Sequence, residues 1–214
     1  MKKTLIALAC LSSCALAGTY TYTADSFGDA GTYNARSLTL TETLTCDGTV
    51  NWSISGTFTV GTETANEWGT ALLASTTNPF DDFYSNGFQF YLNSSNTFLL
   101  KFNNASGDDY AITQSDIVSG DTVSYTLAYA ADTSKLTVTL EFTDAETSEV
   151  TTQTVAKTMS SDASISALST SVVGLEGWTL GDITVTVTSA VPEPATATLG
   201  LLALGALALR RRRA

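Results

Sequence analysis

The 214-residue chain carries 21 acidic residues against 10 lysines and arginines, 3 cysteines and no histidine, for a net charge of −11. The missing histidine excludes Ser-His-Asp and Cys-His nucleophile pairs and His-based zinc sites. The negative balance argues against a nucleic-acid partner.

The N-terminus opens with Lys2 and Lys3, followed by an apolar stretch from Thr4 to Leu11 and the small-residue site Ala15-Leu16-Ala17. That order is a secretory signal peptide over residues 1–17, which implies passage through the Sec export machinery and cleavage before Gly18. Leu11-Ser12-Ser13-Cys14 also resembles a lipobox, which would make Cys14 a lipidated first residue. Cys10 and Cys14 lie inside the leader, so with the cut after Ala17 the mature chain keeps Cys46 alone and an intramolecular disulfide is impossible. Cys46 reads as a small residue in a strand. Setting aside Lys2, Lys3 and Arg210–Arg213 leaves four cations, and setting aside Glu193 leaves twenty acids. The mature domain, residues 18–190, then has a net charge of −16 and enough length for one core.

From Gly18 onward the chain alternates apolar and polar residues with period two and is rich in Thr, Val, Tyr and Phe, which is the strand signal. Leu38 and Leu40 begin it. Asp47-Gly48 predicts a hairpin turn, and Val50, Trp52, Ile54, Gly56, Phe58 and Val60 then share one face. Phe88, Phe90 and Leu92 form the next strand, followed by a turn at Asn93–Asn96 and the strand of Phe98, Leu100 and Phe102. Val123, Tyr125, Leu127 and Tyr129 lead through a turn at Ala131–Ser134 to Leu136, Val138, Leu140 and Phe142. Trp178, Leu180, Ile183, Val185 and Val187 close the domain, with a register break at Gly181-Asp182. Strands with one apolar face each need a second sheet to cover them. The expected fold is therefore all-β, a two-sheet antiparallel jelly-roll sandwich.

Chemistry is sparse along these strands. Glu141 and Asp144 are the nearest approach to a carboxylate pair, yet a three-residue spacing on a strand turns them to opposite faces. They read as a solvated hairpin end, and no catalytic residue is assigned. Asp81-Asp82 and Asp108-Asp109 are oxygen-rich loops of the kind that hold calcium, but their spacing supports no metal site and no cofactor is expected. Trp68, Phe83 and Tyr84 are the candidate ligand-binding residues, placed to stack on sugar rings if their loops expose them, whereas Trp52 and Trp178 are expected in the core.

The tail, residues 191–214, changes character. Val191-Pro192-Glu193-Pro194 breaks any regular helix or central strand. An uncharged run from Ala195 to Leu209 follows, and then Arg210, Arg211, Arg212 and Arg213. In lipid such a run must be helical. At about 1.5 Å per residue it reaches about 22 Å, short of the roughly 30 Å hydrocarbon core, and snorkelling arginines make up part of the gap. The arginine cluster places the C-terminus in the cytoplasm and the domain outside. In order, spacing and terminal position these residues resemble the PEP-CTERM protein-sorting signal of bacteria. The resemblance implies an exosortase-type sorting enzyme as partner and cleavage near Pro192-Glu193-Pro194. It also implies transient anchoring in the inner membrane through residues 195–209, then delivery to the cell surface or extracellular matrix.

Residues 18–190 also resemble concanavalin A-like and laminin G-like sandwiches. Asn51–Phe58 is similar to their opening strand, Gly120–Leu127 with Lys135–Phe142 to their central hairpin, and Gly181–Val185 to their closing strand. The Trp-His pair usual in that hairpin is replaced by Val123 and Ser124, and the Glu-x-Asp-x-Glu motif of laminarinase-like members is absent. The expectation is a non-catalytic surface protein with carbohydrate-binding capacity, its partner a surface polysaccharide. The alternative is a divergent secreted glycoside hydrolase of the same fold.

Overall fold

The computed structural model describes residues 17–28, 35–62, 70–75, 87–93, 95, 97–102, 111–171 and 177–189. They form strands β1 (Gly18–Tyr22), β2 (Ala35–Thr45), β3 (Val50–Thr59), β4 (Thr70–Ala74), β5 (Phe88–Leu92), β6 (Phe98–Phe102) and β7 (Ile112–Gln114). The second half gives β8 (Thr122–Ala130), β9 (Lys135–Thr143), β10 (Val150–Thr158), β11 (Ser164–Ser171), β12 (Thr179–Leu180) and β13 (Ile183–Ser189). One sheet, A, runs β1-β13-β3-β8-β9-β10, with β12 also on β3; the other, B, runs β2-β11-β4-β5-β6-β7. All recorded pairings are antiparallel. The two-sheet all-β sandwich expected from the alternation is the fold observed.

The inward faces meet in an aromatic seam. Phe58, Tyr125 and Phe142 come from sheet A, and Phe88, Phe90 and Phe98 from sheet B. Tyr125 lies 5.0 Å from Phe58 and 5.1 Å from Phe90 by ring centroids, and Phe98 sits edge-on to Phe142 at 5.6 Å. Gly56 stands opposite Tyr125 in the register, where a Cβ would overlap the phenol oxygen, so the residue that interrupts an otherwise apolar face makes room for the ring. At the far side of the core Trp52 stacks on Tyr129 at 5.5 Å and donates its indole N–H to the Thr45 carbonyl at 2.9 Å.

Several sequence expectations are met in detail. The β5–β6 hairpin turns at Asn93, whose side-chain oxygen accepts the N–H groups of Ser95 and Thr97. The β8–β9 hairpin turns through Ala131–Ser134, with Ser134 left-handed at φ 53. The break at Gly181-Asp182 separates β12 from β13, both of which pair with β3.

Others are corrected. Asp47-Gly48 is not a hairpin turn, because β2 belongs to sheet B and β3 to sheet A. The local chemistry is right, with Gly48 at φ 82 and the Asp47 carboxylate accepting the Thr49 N–H at 3.0 Å and hydroxyl at 2.6 Å. The chain reverses there, but it crosses between layers instead of pairing. Cys46 lies one residue past β2, buried, and burial pushes its thiol up to about 11, with Asp47 adding to the shift. Strands β1, β4, β7, β10 and β11 were not foreseen. Ala71–Ala74 and Ala167–Thr170 are buried on consecutive residues, so neither alternates. β10, Val150–Thr158, has only Val150, Val155 and Ala156 as apolar residues.

Two tyrosines test how the core treats its hydroxyls. The Tyr129 hydroxyl donates to the Cys46 carbonyl at 2.7 Å, whereas the Tyr125 hydroxyl is buried without a partner and its ionisation is pushed far up by burial. Tyr129→Phe is expected to lower unfolding free energy by about 1–2 kcal/mol, and Tyr125→Phe to be neutral or raise it by up to about 1 kcal/mol. Urea denaturation of both variants checks the opposite signs.

Candidate functional site

The outward faces of the two sheets differ. On sheet B, Ala74, Gln89 and Leu99 point away from the seam by strand alternation, and Ser169 stands opposite Ala74, yet all four are buried, and the Ser169 hydroxyl has no partner. On the same face Ser37 and Thr39 of β2 are exposed, so the face is covered in part. On sheet A the outward face is open and hydroxyl-rich: Thr21, Thr184, Ser55, Thr126, Thr139 and Thr154 form one rank across all six strands of the main path. Ala128 and Ala130 leave a shallow dent of about 380 Å³ beside Asn51, Asp132 and Thr137. Asn51 is already engaged there, accepting the Ala131 N–H at 2.8 Å.

A more apolar depression of about 270 Å³ lies at one end of the sandwich, lined by Val60, Gly61, Thr62, Ile117, Val118, Ser119 and Trp178. Its base is a backbone clasp. Val60 donates to the Asp121 carbonyl and accepts from Gly120, each at 2.8 Å. The Asp121 carboxylate, itself buried, accepts the Val118 N–H at 2.9 Å and reaches across to the Ala145 N–H at 3.0 Å. One wall is a backbone-to-backbone approach: a Cβ on Gly61 would overlap the Gly177 carbonyl, and Gly177 is left-handed at φ 85. That approach sets Trp178, which is only partly buried, against the lip. Trp178 was expected in the core beside Trp52. Only Trp52 is fully interior, because the Gly177 turn carries Trp178 to the rim. Val118, in the same lining, is 52 % exposed. An indole and aliphatic side chains around exposed backbone can hold one face of a ring-shaped ligand. Among the described residues the lining offers the hydroxyls of Thr62 and Ser119 but no carboxylate and no cationic side chain.

The sequence candidates are placed as follows. Trp68, Phe83 and Tyr84 lie outside the described residues, as do Asp81-Asp82 and Asp108-Asp109. Thr62, a lining residue, runs directly into the segment 63–69 that carries Trp68. Ala15, the sorting motif Val191–Pro194, the apolar run 195–209 and Arg210–Arg213 also lie outside the described residues. Among the described residues no helix is long and apolar enough to cross a membrane, and no cluster of three or more acidic or cysteine ligands is found. Glu141 is exposed on the outer face of β9 opposite Ser124 and Thr152. Asp144 lies beyond the strand end, where it accepts the Thr147 and Glu146 N–H groups, and those bonds hold its carboxyl below the usual range. The two carboxylates therefore do not converge, and Asp144 is a turn former. The depression itself was missed in the sequence; Gly61 and Gly177, isolated glycines beside strands, were its only trace.

Gly61→Ala is expected to destabilise the domain by about 1–3 kcal/mol, since the obstruction is backbone and cannot rotate away. It should also alter Trp178 fluorescence in the native state. A variant with unchanged stability and emission would remove the clasp from this account.

In three dimensions the chain is similar to peanut lectin, solved with a nine-residue peptide, at a TM-score of 0.50 and 13% identity over 83% of this chain and 100% of that one. It is also similar to a lectin from Bauhinia forficata solved in complex with GalNAc, at a TM-score of 0.50 and 10% identity over 85% and 96% of the two chains. At such identities the likeness is one of fold, the concanavalin A-like sandwich. No curated protein matches the chain. The carboxyl-terminal segment is another matter: residues 190–213 match the PEP-CTERM protein-sorting motif, so the chain carries the sorting signal that its proline, apolar and arginine segments led us to expect.

Proposed function

We propose that this chain is an exported protein of the cell surface or extracellular matrix. In this reading an exosortase-type enzyme processes it, and its sandwich serves as a non-catalytic module that holds surface polysaccharide at the Trp178 depression. The observation that carries the sorting half is a coincidence of boundaries. β1 begins at Gly18, the first residue after the Ala15-Leu16-Ala17 site, and β13 ends at Ser189, the last residue before the motif match at 190–213. Every residue between the two signals is available to the sandwich, and neither signal is needed to complete a sheet. β1 pairs with β13, Gly18 opposite Val187, so the first and last strands of the sandwich end at the same corner of sheet A. A domain tethered at that corner can stand on the membrane while both ends are processed. Its net charge of −16 keeps it off an anionic lipid surface.

The polysaccharide half rests on the depression: a partly buried indole in the same hollow as an exposed valine offers apolar surface to the face of a sugar ring. The lectin-like sandwich is compatible with this, since such a fold can carry a ligand site at the strand ends. Hydrolysis finds less support, because Glu141 and Asp144 diverge.

Mass spectrometry of surface-purified protein tests the sorting reading. The expected ends are an N-terminus at Gly18 and a C-terminus lacking Arg210–Arg213, and Pro192→Ala with Pro194→Ala is expected to leave the chain in the membrane. Arginines still attached would overturn the cleavage, and a lipid on Cys14 would overturn the Ala17 cut. For the ligand, retention on the organism's own extracted polysaccharide should fall about tenfold in Trp178→Ala, about 1.4 kcal/mol. Equal retention of the two proteins would sink the site.

A further inference from the structure

We propose that β10 is a self-association edge, through which two copies of this chain pair antiparallel and extend sheet A across a two-fold axis. A sheet edge is a row of unpaired backbone donors and acceptors, and proteins blunt such edges with short strands, bulges, charges or covering segments. Three of the four edges here are blunted. β1 has only 5 residues and β7 only 3. β2 has 11 residues, but its edge is covered from the β1 side: the Thr41 N–H donates to the Tyr22 hydroxyl at 2.9 Å and the Ser37 carbonyl accepts the Gly28 N–H at 3.0 Å. It also carries Arg36 and Glu42 and a register shift against β11.

Among the described residues β10 has none of these devices but a single charge. Its 9 residues pair with β9 without a register shift, and they include no proline, no glycine and one charge, Lys157. The strand is held from within: the Lys157 ammonium lies 5.7 Å over the Phe102 ring, and Gln153 donates to Gln114 on β7 at 2.6 Å. Among the described residues no strand pairs with its remaining side, and Val150 is 54 % exposed. Among the described residues no hydrogen bond is recorded to its outer edge.

The strand suits a second copy of itself. Its centre is Thr154, and antiparallel pairing about that residue sets Gln153 against Val155, Thr152 against Ala156 and Thr151 against Lys157. No like charges face each other, which on opposed strands would be destabilising. Thr154 is also where the hydroxyl rank across sheet A ends, so a two-fold there carries the rank on into the partner copy. Opposing this is the −16 charge of each domain, which salt screens with a Debye length of about 10 Å at 0.1 M. The pair therefore tightens as salt is added, the reverse of an association driven by ion pairs.

Sedimentation of the processed, surface-purified protein over a range of concentration and salt tests this. The expected result is a monomer–dimer equilibrium that strengthens with salt. Thr154→Lys and Thr154→Glu, each of which sets like charges face to face, should each weaken the dimer at least tenfold. Their equimolar mixture should restore it, a rescue that a merely structural role for Thr154 would not produce. A wild-type chain that stays monomeric throughout, or charge variants that dimerise like wild type, would overturn the proposal. So would association that the mixture fails to restore.

Discussion

The contact on which the rest of the molecule depends is the aromatic seam between the sheets. Phe58, Tyr125 and Phe142 reach in from one side and Phe88, Phe90 and Phe98 from the other, with ring centroids 5.0 to 6.1 Å apart. Burying one such side chain contributes about 1.5–3 kcal/mol, so six together are large against the 5–15 kcal/mol that holds a typical domain. With no disulfide available to Cys46 among the described residues, that burial is the main source of cohesion. The seam also sets register. A slip of one residue in β3 or β8 would turn Phe58 or Tyr125 out to solvent and move Gly56 away from the ring that needs its space.

With the core settled, the surface divides by sheet. Sheet B is buried on parts of both faces, so its strands read as runs of Ala, Leu and Phe. Sheet A is buried on one face only and presents Thr and Ser on the other. Of the twenty acids in the mature domain, Glu141 is the one on the outward face of that sheet's strands, and Lys135 stands at an end of the same strand. Among the described residues most acids lie in turns and loops, where Asp47 and Asp144 also shape the backbone by accepting N–H groups. The hydroxyl face and the open β10 edge are the near-neutral parts of an acidic molecule.

The ends of the chain explain why the domain is built as it is. Gly18 and Val187 sit side by side, so the first strand of the domain closes on the strand that runs into the sorting motif. This pairing needs both ends of the domain. It cannot form until β13 has been made. The Trp178 depression belongs to the same strand-pair logic. It arises where β3 leaves the sheet at Val60 and β12 enters it, and where two glycines allow the backbones to touch.

The sequence by itself determined the sorting signal and the fold class, because the tail and the period-two alternation are local patterns that need no partner to be read. It also placed most inward faces correctly, from Trp52 to Val187, for the same reason. Only the tertiary structure decided which strands pair. Asp47-Gly48 carries hairpin chemistry yet joins two different sheets, since a turn fixes reversal of the chain but not the layer that receives it. β4 and β11 lost their alternation to burial on both faces, and β10 had too little apolar surface to announce itself. The depression was hidden for a related reason. Trp178 looks like one more core aromatic until the Gly61–Gly177 approach, 116 residues apart in the chain, carries it to the rim.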